Sequence, residues 1–154
     1  MKIEIRRDDL SSPAVQRLIA EHVSDMYSNS PPGHAHALAL ESLRAPDVTF
    51  WTAWINGALC GCGALKELDP ITGEVKSMRT RAGFLRRGVG QAILDEITRT
   101  ARQRGYSRLL LETGTGELFD PAHAFYQSNG FARSDPFGDY IATDFNVFMA
   151  KVLG

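Results

Sequence analysis

The chain has 154 residues, of which 44% are hydrophobic and 23% are charged, as is ordinary for a globular protein. Its 17 basic and 18 acidic side chains give a net charge of −1, which argues against a general nucleic-acid or membrane-surface binder. We expect one domain over residues 1–154, large enough to bury a core without metal or disulfide cross-links.

The first part of the chain predicts a strand and two helices. Residues 2–6 alternate apolar and charged side chains, as a strand does. The tripeptide Ser11-Ser12-Pro13 offers the hydroxyl cap and early proline that begin helices, and apolar residues then recur at helical spacing as far as Met26. A second, short helix is predicted from about residue 35 to residue 45, before Pro46.

The middle of the chain predicts an antiparallel meander. Two apolar runs, residues 50–55 and 58–65, flank Asn56-Gly57, the pair most typical of a two-residue hairpin turn. A further turn leads to a third strand from residue 74 to about residue 81. Cys60 and Cys62 stand two apart in this meander, so we expect them on one face as core residues, with no metal site.

The last part predicts alternating helices and strands. A helix covers residues 88–104, and a buried strand covers residues 108–113. Asp120-Pro121 begins another helix that Asn129-Gly130 ends, and two strands follow, from residue 131 and over residues 146–151. This order, β-α-α-β-β-β-α-β-α-β-β, predicts a mixed sheet with helices on both sides.

The sequence also gives an expectation about location. The N-terminal residues lack the apolar stretch of a secretory signal peptide, and no apolar run approaches membrane-spanning length. We therefore expect a cytoplasmic protein with no membrane partner and no nucleic-acid partner.

The turn before the long helix has the composition of an anion site. Arg86-Arg87-Gly88-Val89-Gly90 lies between a predicted strand and a helix N-terminus, where backbone N–H groups have no partner within the helix. The glycines allow close backbone approach, and arginine suits phosphate. No Gly-Lys-Ser/Thr tripeptide marks a P-loop, and Ile93 stands where a dinucleotide fingerprint needs glycine. By itself the turn fits a phosphate site or an ordinary tight connection equally well.

Four runs of sequence resemble one known family. Residues 74–80 (Glu-Val-Lys-Ser-Met-Arg-Thr) and 85–90 (Leu-Arg-Arg-Gly-Val-Gly) resemble the fourth strand and acyl-CoA loop of the GNAT superfamily of N-acetyltransferases. Residues 111–114 and 122–131 resemble its fifth strand and the helix that ends in Tyr-x-x-x-Gly-Phe. The Lys-Ser-Met-Arg-Thr and Pro-Phe-Gly-Asp-Tyr runs resemble a bacterial subgroup with mostly unassigned acceptors.

The resemblance implies an α/β (α+β) fold: a mixed, mostly antiparallel sheet of six to seven strands flanked by about four helices, with the fourth and fifth strands splayed apart. It implies acetyl-CoA as co-substrate and no metal. The residues that it predicts to hold the co-substrate are Met78, Thr80, Arg86, Arg87, Gly88, Val89, Gly90 and Gln91. Leu85 departs from the family pattern, which usually has Gln or Arg there, so backbone and the two arginines would have to hold the pyrophosphate.

Two residues take catalytic roles by the same resemblance. Tyr126 occupies the position that protonates the leaving thiolate, although a packed aromatic residue would also fit there. Glu74 occupies the position of a general base, and strand alternation predicts that it shares a face with Lys76, Met78 and Thr80. A solvated glutamate beside Lys76 is the alternative for Glu74.

The acceptor side is less determined. Glu112 rivals Glu74 as the base, or it accepts backbone N–H groups at its strand end. His36 lies where the family covers the acceptor, and a solvent-exposed histidine is its alternative. Arg79 would bind an acceptor carboxylate or pair with a carboxylate of the sheet. Asp139 and Tyr140 are weaker candidates for closing the site from the C-terminal hairpin.

The leading functional hypothesis is an enzyme, an N-acetyltransferase that moves an acetyl group to a small-molecule amine by direct attack in a ternary complex. One alternative is a non-catalytic acyl-CoA sensor that keeps the loop. Another is an acetyltransferase of protein lysines or N-termini, which would need an open groove. An exposed C-terminal strand edge would allow a homodimer. The identity of the acceptor and the acyl-chain preference cannot be read from the sequence.

Overall fold

Seven strands form one sheet in a computed structural model that describes residues 2–26, 40–138, 140–144 and 146–154. The strands are β1 Ile3–Arg7, β2 Val48–Ile55, β3 Ala58–Asp69, β4 Thr72–Thr80, β5 Arg108–Gly114, β6 Ala132–Arg133 and β7 Asn146–Val152. Their order across the sheet is β1-β2-β3-β4-β5-β7-β6. Only β4 and β5 pair in parallel, and the other neighbours are antiparallel. The predicted mixed, mostly antiparallel sheet is confirmed.

In the described part of the chain, three helices of nine or more residues pack against this sheet: α1 Pro13–Met26, α2 Val89–Gln103 and α3 Asp120–Ser128. Ser12 caps α1, since its hydroxyl accepts a hydrogen bond from the Val15 amide at 3.3 Å. Residues 40–43 are also helical, residues 44 and 45 are not, and residues 35–39 of the predicted second helix lie outside the described residues. Within the described ranges, no helix is both long enough and apolar enough to cross a bilayer.

The predicted hairpin turn is confirmed. Asn56 and Gly57 have φ values of 50° and 79°, and the left-handed conformation at both residues is what a type I′ turn requires. Asparagine and glycine adopt it most readily, so this pair sets the register between β2 and β3.

The two faces of the sheet carry separate cores. One lies under α2 and α3 and includes Trp51, Val75, Ile93, Leu111 and Met149. The other lies under α1 and includes residues such as Leu18, Phe50, Cys62 and Ala64. We call these two sides the α2 face and the α1 face.

A bulge in β3 changes the expected placement of the two cysteines. Ala53 pairs with Gly61 while Trp54 pairs with Leu59, so β3 carries one extra residue, Cys60. Cys60 therefore packs in the α2-face core and Cys62 in the α1-face core. The prediction that they share a face was wrong, because strict alternation assumes an unbroken ladder.

A second bulge, in β4, overturns the predicted common face of Glu74, Lys76, Met78 and Thr80. Cys62 pairs with Arg79 and Ala64 with Lys76, so two residues of β4 stand opposite one of β3. Ser77, in the bulge, has a left-handed φ of 55°. The extra residue inverts the alternation that follows it.

The inversion separates the residues of β4 into two groups. Met78 packs against the α2-face core together with Val75, three residues earlier. Glu74 pairs with Lys66 of β3. Along β3, Cys62, Ala64 and Lys66 alternate with the residues between them and so lie on one face, and Cys62 and Ala64 belong to the α1-face core. Glu74 therefore lies on the α1 face.

The parallel pair β4–β5 is joined over a short distance only. Thr72, Gly73 and Glu74 pair with Arg108, Leu109 and Leu110, and the ladder between the two strands ends there. β4 continues to Thr80 and β5 to Gly114, so the strands diverge beyond this point. The splay expected from the resemblance is confirmed, and it leaves the facing edge of β4 without a strand partner among the described residues.

Candidate active site

The turn between β4 and α2 presents backbone rather than side-chain caps. Arg86 and Gly88 both adopt left-handed φ values, 62° and 82°, and Gly88 is the N-cap of α2 with no side-chain hydrogen bond. The first N–H groups of α2 have no acceptor within the helix and lie at the positive end of its dipole. The geometry is that of an anion-binding helix N-terminus.

Gly90 lies in the first turn of α2, beside Phe125 and Thr80. A Cβ built on Gly90 would lie 3.7 Å from Phe125 Cζ and 3.8 Å from Thr80 Oγ1, which are ordinary van der Waals contacts. Its φ is not in the left-handed region either. Neither backbone conformation nor packing within the protein requires glycine here, so the missing side chain leaves space for a bound group. The turn therefore fits a phosphate-bearing group.

The side chains of residues 85–87 are at the surface. Arg86 and Arg87 are exposed, and the Arg87 guanidinium lies 5.5 Å from the centroid of the Phe84 ring. Leu85 is 58% exposed and packs into neither core. Two arginines are thus available to a phosphate beside the backbone site.

The side chain of Gln91 is engaged with the protein itself. Its amide exchanges two hydrogen bonds with the Asn129 amide, at 2.7 and 3.1 Å, and donates to Asp95 at 2.8 Å. These bonds fasten the end of α3 to the start of α2. A ligand-binding role for Gln91 therefore concerns its backbone N–H.

Met78 and Thr80 lie on the α2 face, beside this N-terminus. A Cβ on Gly63 would come within 2.6 Å of both Met78 Sδ and Ile93 Cγ2, so β3 needs glycine for α2 and Met78 to pack closely. The Thr80 side chain reaches toward Gly90. The free edge of β4 thus runs directly to the anion-binding turn.

Glu74 stands at the closed end of the splay, where the β4–β5 ladder stops. Its side chain is 3% exposed, and the Tyr140 hydroxyl donates a hydrogen bond of 2.6 Å to Glu74 Oε2. Burial raises the pKa of this carboxyl, while the bond from Tyr140 lowers it to a smaller extent. A buried carboxyl with a raised pKa is suited to accept a proton in a reaction.

Glu112 lies on the same side of the sheet as Glu74. Glu112 pairs with Phe148 of β7. The neighbours of Phe148 in that strand, Val147 and Met149, lie in the α2-face core, so Phe148 and its partner Glu112 lie on the α1 face. Its carboxylate accepts a hydrogen bond of 3.3 Å from Asn146 and also raises the Glu74 pKa. The structure thus brings the two rival carboxylates together.

Tyr126 lies in the α2-face core, across the sheet from Glu74. It is 8% exposed, and its ring contacts Phe125 and Phe131 at centroid distances of 5.2 and 5.6 Å. Its hydroxyl has no hydrogen-bond partner among the described residues. Burial raises the pKa of this phenol, so it stays protonated and keeps a proton to donate.

Three residues predicted for the acceptor side have different outcomes. Arg79 pairs with Cys62 across β3 and β4 and lies on the α1 face, the same side as Glu74. His36 and Asp139 lie outside the described residues.

Asn146 and Phe148 were missed by sequence reasoning, since no local pattern links residues near the C-terminus to a glutamate in β4.

Comparison with known proteins decides the family. The model of the acetyltransferase (GNAT) family matches residues 15–131. The chain belongs to this family. Its reaction is acyl-CoA-dependent N-acetyl transfer, and the predicted fold and enzyme class are thereby confirmed.

Several GNAT relatives span nearly the whole chain. Uncharacterized N-acetyltransferase YsnE from Bacillus subtilis (strain 168) is 50% identical over 98% of this chain and 100% of its own length. Uncharacterized N-acetyltransferase YedL from Escherichia coli (strain K12) is 48% identical over 97% of this chain and 94% of its own length. An IAA acetyltransferase from Azospirillum brasilense is 35% identical over 98% of both chains.

Solved GNAT structures share the same fold. A putative acyl-CoA N-acyltransferase from Klebsiella pneumoniae superposes with a TM-score of 0.80 at 25% identity, covering 99% of this chain and 98% of that one. A GNAT acetyltransferase from Elizabethkingia anophelis, solved with acetyl-CoA bound, superposes with a TM-score of 0.74 at 20% identity over 98% of both chains.

Proposed function

We propose that this acetyltransferase moves an acetyl group from acetyl-CoA to the amine of a small-molecule acceptor in the cytoplasm, by direct attack within a ternary complex. The observation that carries the proposal is the placement of Glu74. It is a buried carboxyl with a raised pKa, and it lies where β4 and β5 begin to diverge.

The co-substrate would lie along the splay. The N-terminus of α2, with Arg86 and Arg87 beside it, suits the pyrophosphate because N–H groups and guanidinium groups bind phosphate strongly. The unpaired edge of β4, near Met78 and Thr80, offers backbone groups to the amides of the pantetheine arm. The acetyl-CoA in the Elizabethkingia relative supports the choice of this ligand.

The chemistry needs a proton acceptor and a proton donor. A bond forms between the acceptor nitrogen and the acetyl carbon, and the carbon–sulfur bond breaks. Glu74 takes the proton that the amine nitrogen loses, and Tyr126 supplies the proton that the sulfur gains. The two residues lie on opposite sides of the sheet, as expected if the thioester occupies the gap between the strands.

The acceptor side favours a small amine. Glu74 and Glu112 are carboxylates that attract an ammonium group before it is deprotonated, and Phe137, Tyr140 and Phe148 supply aromatic surface beside them. Arg79 and Lys76, on the same face, would bind an acceptor carboxylate. We include His36 among the proposed acceptor contacts from the sequence resemblance alone.

The test is thioester consumption over a panel of small amines, amino acids and lysine peptides. We expect turnover with at least one small amine. Protection against melting by acetyl-CoA with no turnover on any acceptor would instead indicate a sensor, and turnover on peptides alone would indicate a protein acetyltransferase. The IAA acetyltransferase relative makes aromatic acceptors the first to include.

The role of Tyr126 has its own test. Because general acid catalysis is worth about a hundred- to ten-thousand-fold, we expect Tyr126→Phe to lower kcat by at least about tenfold while the KM for acetyl-CoA changes little. Phe131→Leu, which alters the packing of the same ring, is the control for a purely structural effect. Unchanged turnover in Tyr126→Phe would remove this residue from the mechanism.

The proposal includes a homodimer through the C-terminal edge of the sheet. β6 pairs with only Met149 and Ala150 of β7, so most of that edge of β7 has no strand beside it in the described part of the chain. Sedimentation at several concentrations tests it, and a monomer throughout would exclude a stable dimer.

A further inference from the structure

Phe137 and Tyr140, between β6 and β7, form an aromatic cluster with Phe148 of β7. The Tyr140 ring lies 5.2 Å from Phe137 and 5.9 Å from Phe148, and Phe137 and Phe148 lie 5.7 Å apart, all in tilted or edge-on arrangements. These are favourable geometries for aromatic pairs. The ring of Tyr140 is therefore held by two neighbours, one of them in β7.

From this position the Tyr140 hydroxyl reaches Glu74, 66 residues earlier in the chain, at 2.6 Å. The distance is typical of a hydroxyl that donates to a carboxylate, the stronger class of hydrogen bond. A bond of this kind fixes one oxygen of the carboxylate.

The same segment is fastened to the second carboxylate. Asn146 donates to Glu112 Oε2 at 3.3 Å and to the Ile141 carbonyl at 3.0 Å, and its own side-chain oxygen accepts from the Thr143 amide at 2.9 Å. The segment around Tyr140 is thus fixed at both carboxylates, and Tyr140 does not depend on its ring contacts alone.

We propose that Tyr140 is a positioning residue that holds the Glu74 carboxylate in the orientation needed to take a proton from the acceptor amine. This inference rests on the proposed function, in which Glu74 is the base. It gives Tyr140, which the sequence suggested only as a weaker candidate for closing the site, a direct partner in Glu74.

The groups around Glu74 determine in which direction its pKa should move when Tyr140 loses its hydroxyl. Lys76 on β4 and Lys66 on β3 favour the ionised carboxylate, Glu112 on β5 disfavours it, and the Tyr140 hydroxyl favours it more than either lysine does. Removing the hydroxyl should therefore raise the pKa of Glu74. Since Glu74 must be ionised to act as a base, the acid limb of the kcat/KM profile should move to higher pH.

The decisive variant is Tyr140→Phe, which keeps the ring contacts and deletes only the hydroxyl. We expect kcat near pH 7 to fall by about tenfold, the KM for acetyl-CoA to stay constant, and the acid limb to move to higher pH. The chain offers a matched control in Tyr106→Phe. Tyr106 also donates to a glutamate, Glu67, at 2.7 Å, but Tyr106 lies in the α2-face core, on the other side of the sheet from Glu74. This control should leave kcat and the acid limb unchanged.

A second measurement does not depend on activity. The Glu74 carboxyl carbon can be titrated by NMR in the protein labelled with carbon-13 at glutamate, with the signal assigned by its loss in Glu74→Gln. We expect Tyr140→Phe to raise the measured pKa of Glu74 and Tyr106→Phe to leave it in place. An unchanged pKa in Tyr140→Phe would overturn the inference even if the enzyme acetylates amines.

The two measurements separate two failures. A raised Glu74 pKa with an unchanged pH–rate profile would overturn the positioning role, since Glu74 would not be the base, while acetyl transfer itself would stand. If no amine is acetylated, the proposed function fails, and a raised pKa would still support the contact between Tyr140 and Glu74.

Discussion

The two halves of the candidate site are built in different ways. The proposed co-substrate side is one continuous stretch, residues 78–91, in which backbone N–H groups, left-handed φ values and a missing Cβ would create the binding surface. The acceptor side joins side chains from β4, β5, β7 and the segment before β7. The first is local in sequence, and the second exists only in the folded protein.

This difference has a physical origin. Phosphate can be bound by peptide groups, which every residue carries, so a short turn with suitable φ values is sufficient. Proton transfer needs a carboxyl of altered pKa, which requires burial and neighbours from other strands. Substitutions on the two sides should therefore affect different measurable quantities.

The largest expected effect is on the acceptor side. Glu74→Gln keeps the shape but removes the base, so kcat should fall by at least about 100-fold with little change in the Kd for CoA. Steady-state kinetics measures the loss of kcat, and calorimetry with CoA measures the Kd. Glu112→Gln is the matched control, and a larger loss in that variant would make Glu112 the base.

A smaller effect is expected for the arginines of the turn. The double variant Arg86→Ala, Arg87→Ala loses charge-assisted bonds to phosphate, so the Kd for CoA should rise by about tenfold, with kcat at saturating acetyl-CoA largely kept. Arg102→Ala, in the last turn of the same helix, should have no such effect. Normal CoA binding by the double variant would leave the backbone as the sole carrier of the pyrophosphate.

A substitution at Gly90 should separate CoA binding from protein stability. In Gly90→Ala the added Cβ meets only ordinary contacts in the protein, and alanine favours helix, so the Tm should stay level or rise slightly. The Kd for CoA should rise by roughly three- to tenfold, because the methyl group enters the ligand space.

Gly61→Ala is the opposite case to Gly90→Ala. Its Cβ would come within 2.7 Å of the Arg79 carbonyl oxygen and 2.8 Å of Val89 Cγ1. Its main effect should therefore be a lower Tm. A loss of Tm in Gly90→Ala matching that of Gly61→Ala would show that Gly90 serves packing instead.

The smallest expected effect concerns stability and pH. The folded-state pKa of Glu74 is raised, so the folded protein binds this proton more tightly than the unfolded chain, and stability falls as pH rises through the folded pKa. Glu74→Gln should therefore raise the Tm relative to wild type at pH 7, by roughly 2–4 °C for about 1 kcal/mol, and less at pH 4. An equal gain at both pH values would contradict a raised pKa.

The sequence by itself determined the order of elements, the hairpin at Asn56-Gly57 and the glycine turn at the start of α2. Each depends on local rules: hydrophobic period, turn chemistry and the free N–H groups of a helix start. The resemblance to the GNAT superfamily rests on equally local runs, residues 74–80 and 85–90, and it predicted the splay of β4 and β5.

Only the tertiary structure decided which side chains meet. The bulges at Cys60 and Ser77 inverted the alternation of side chains along β3 and β4. As a result, the two cysteines lie on different faces of the sheet, and so do Met78 and Glu74. The contact between Tyr140 and Glu74 joins residues far apart in the chain. A bulge adds one residue to a ladder without a distinctive local pattern, and a long-range hydrogen bond depends on the packing of the whole sheet.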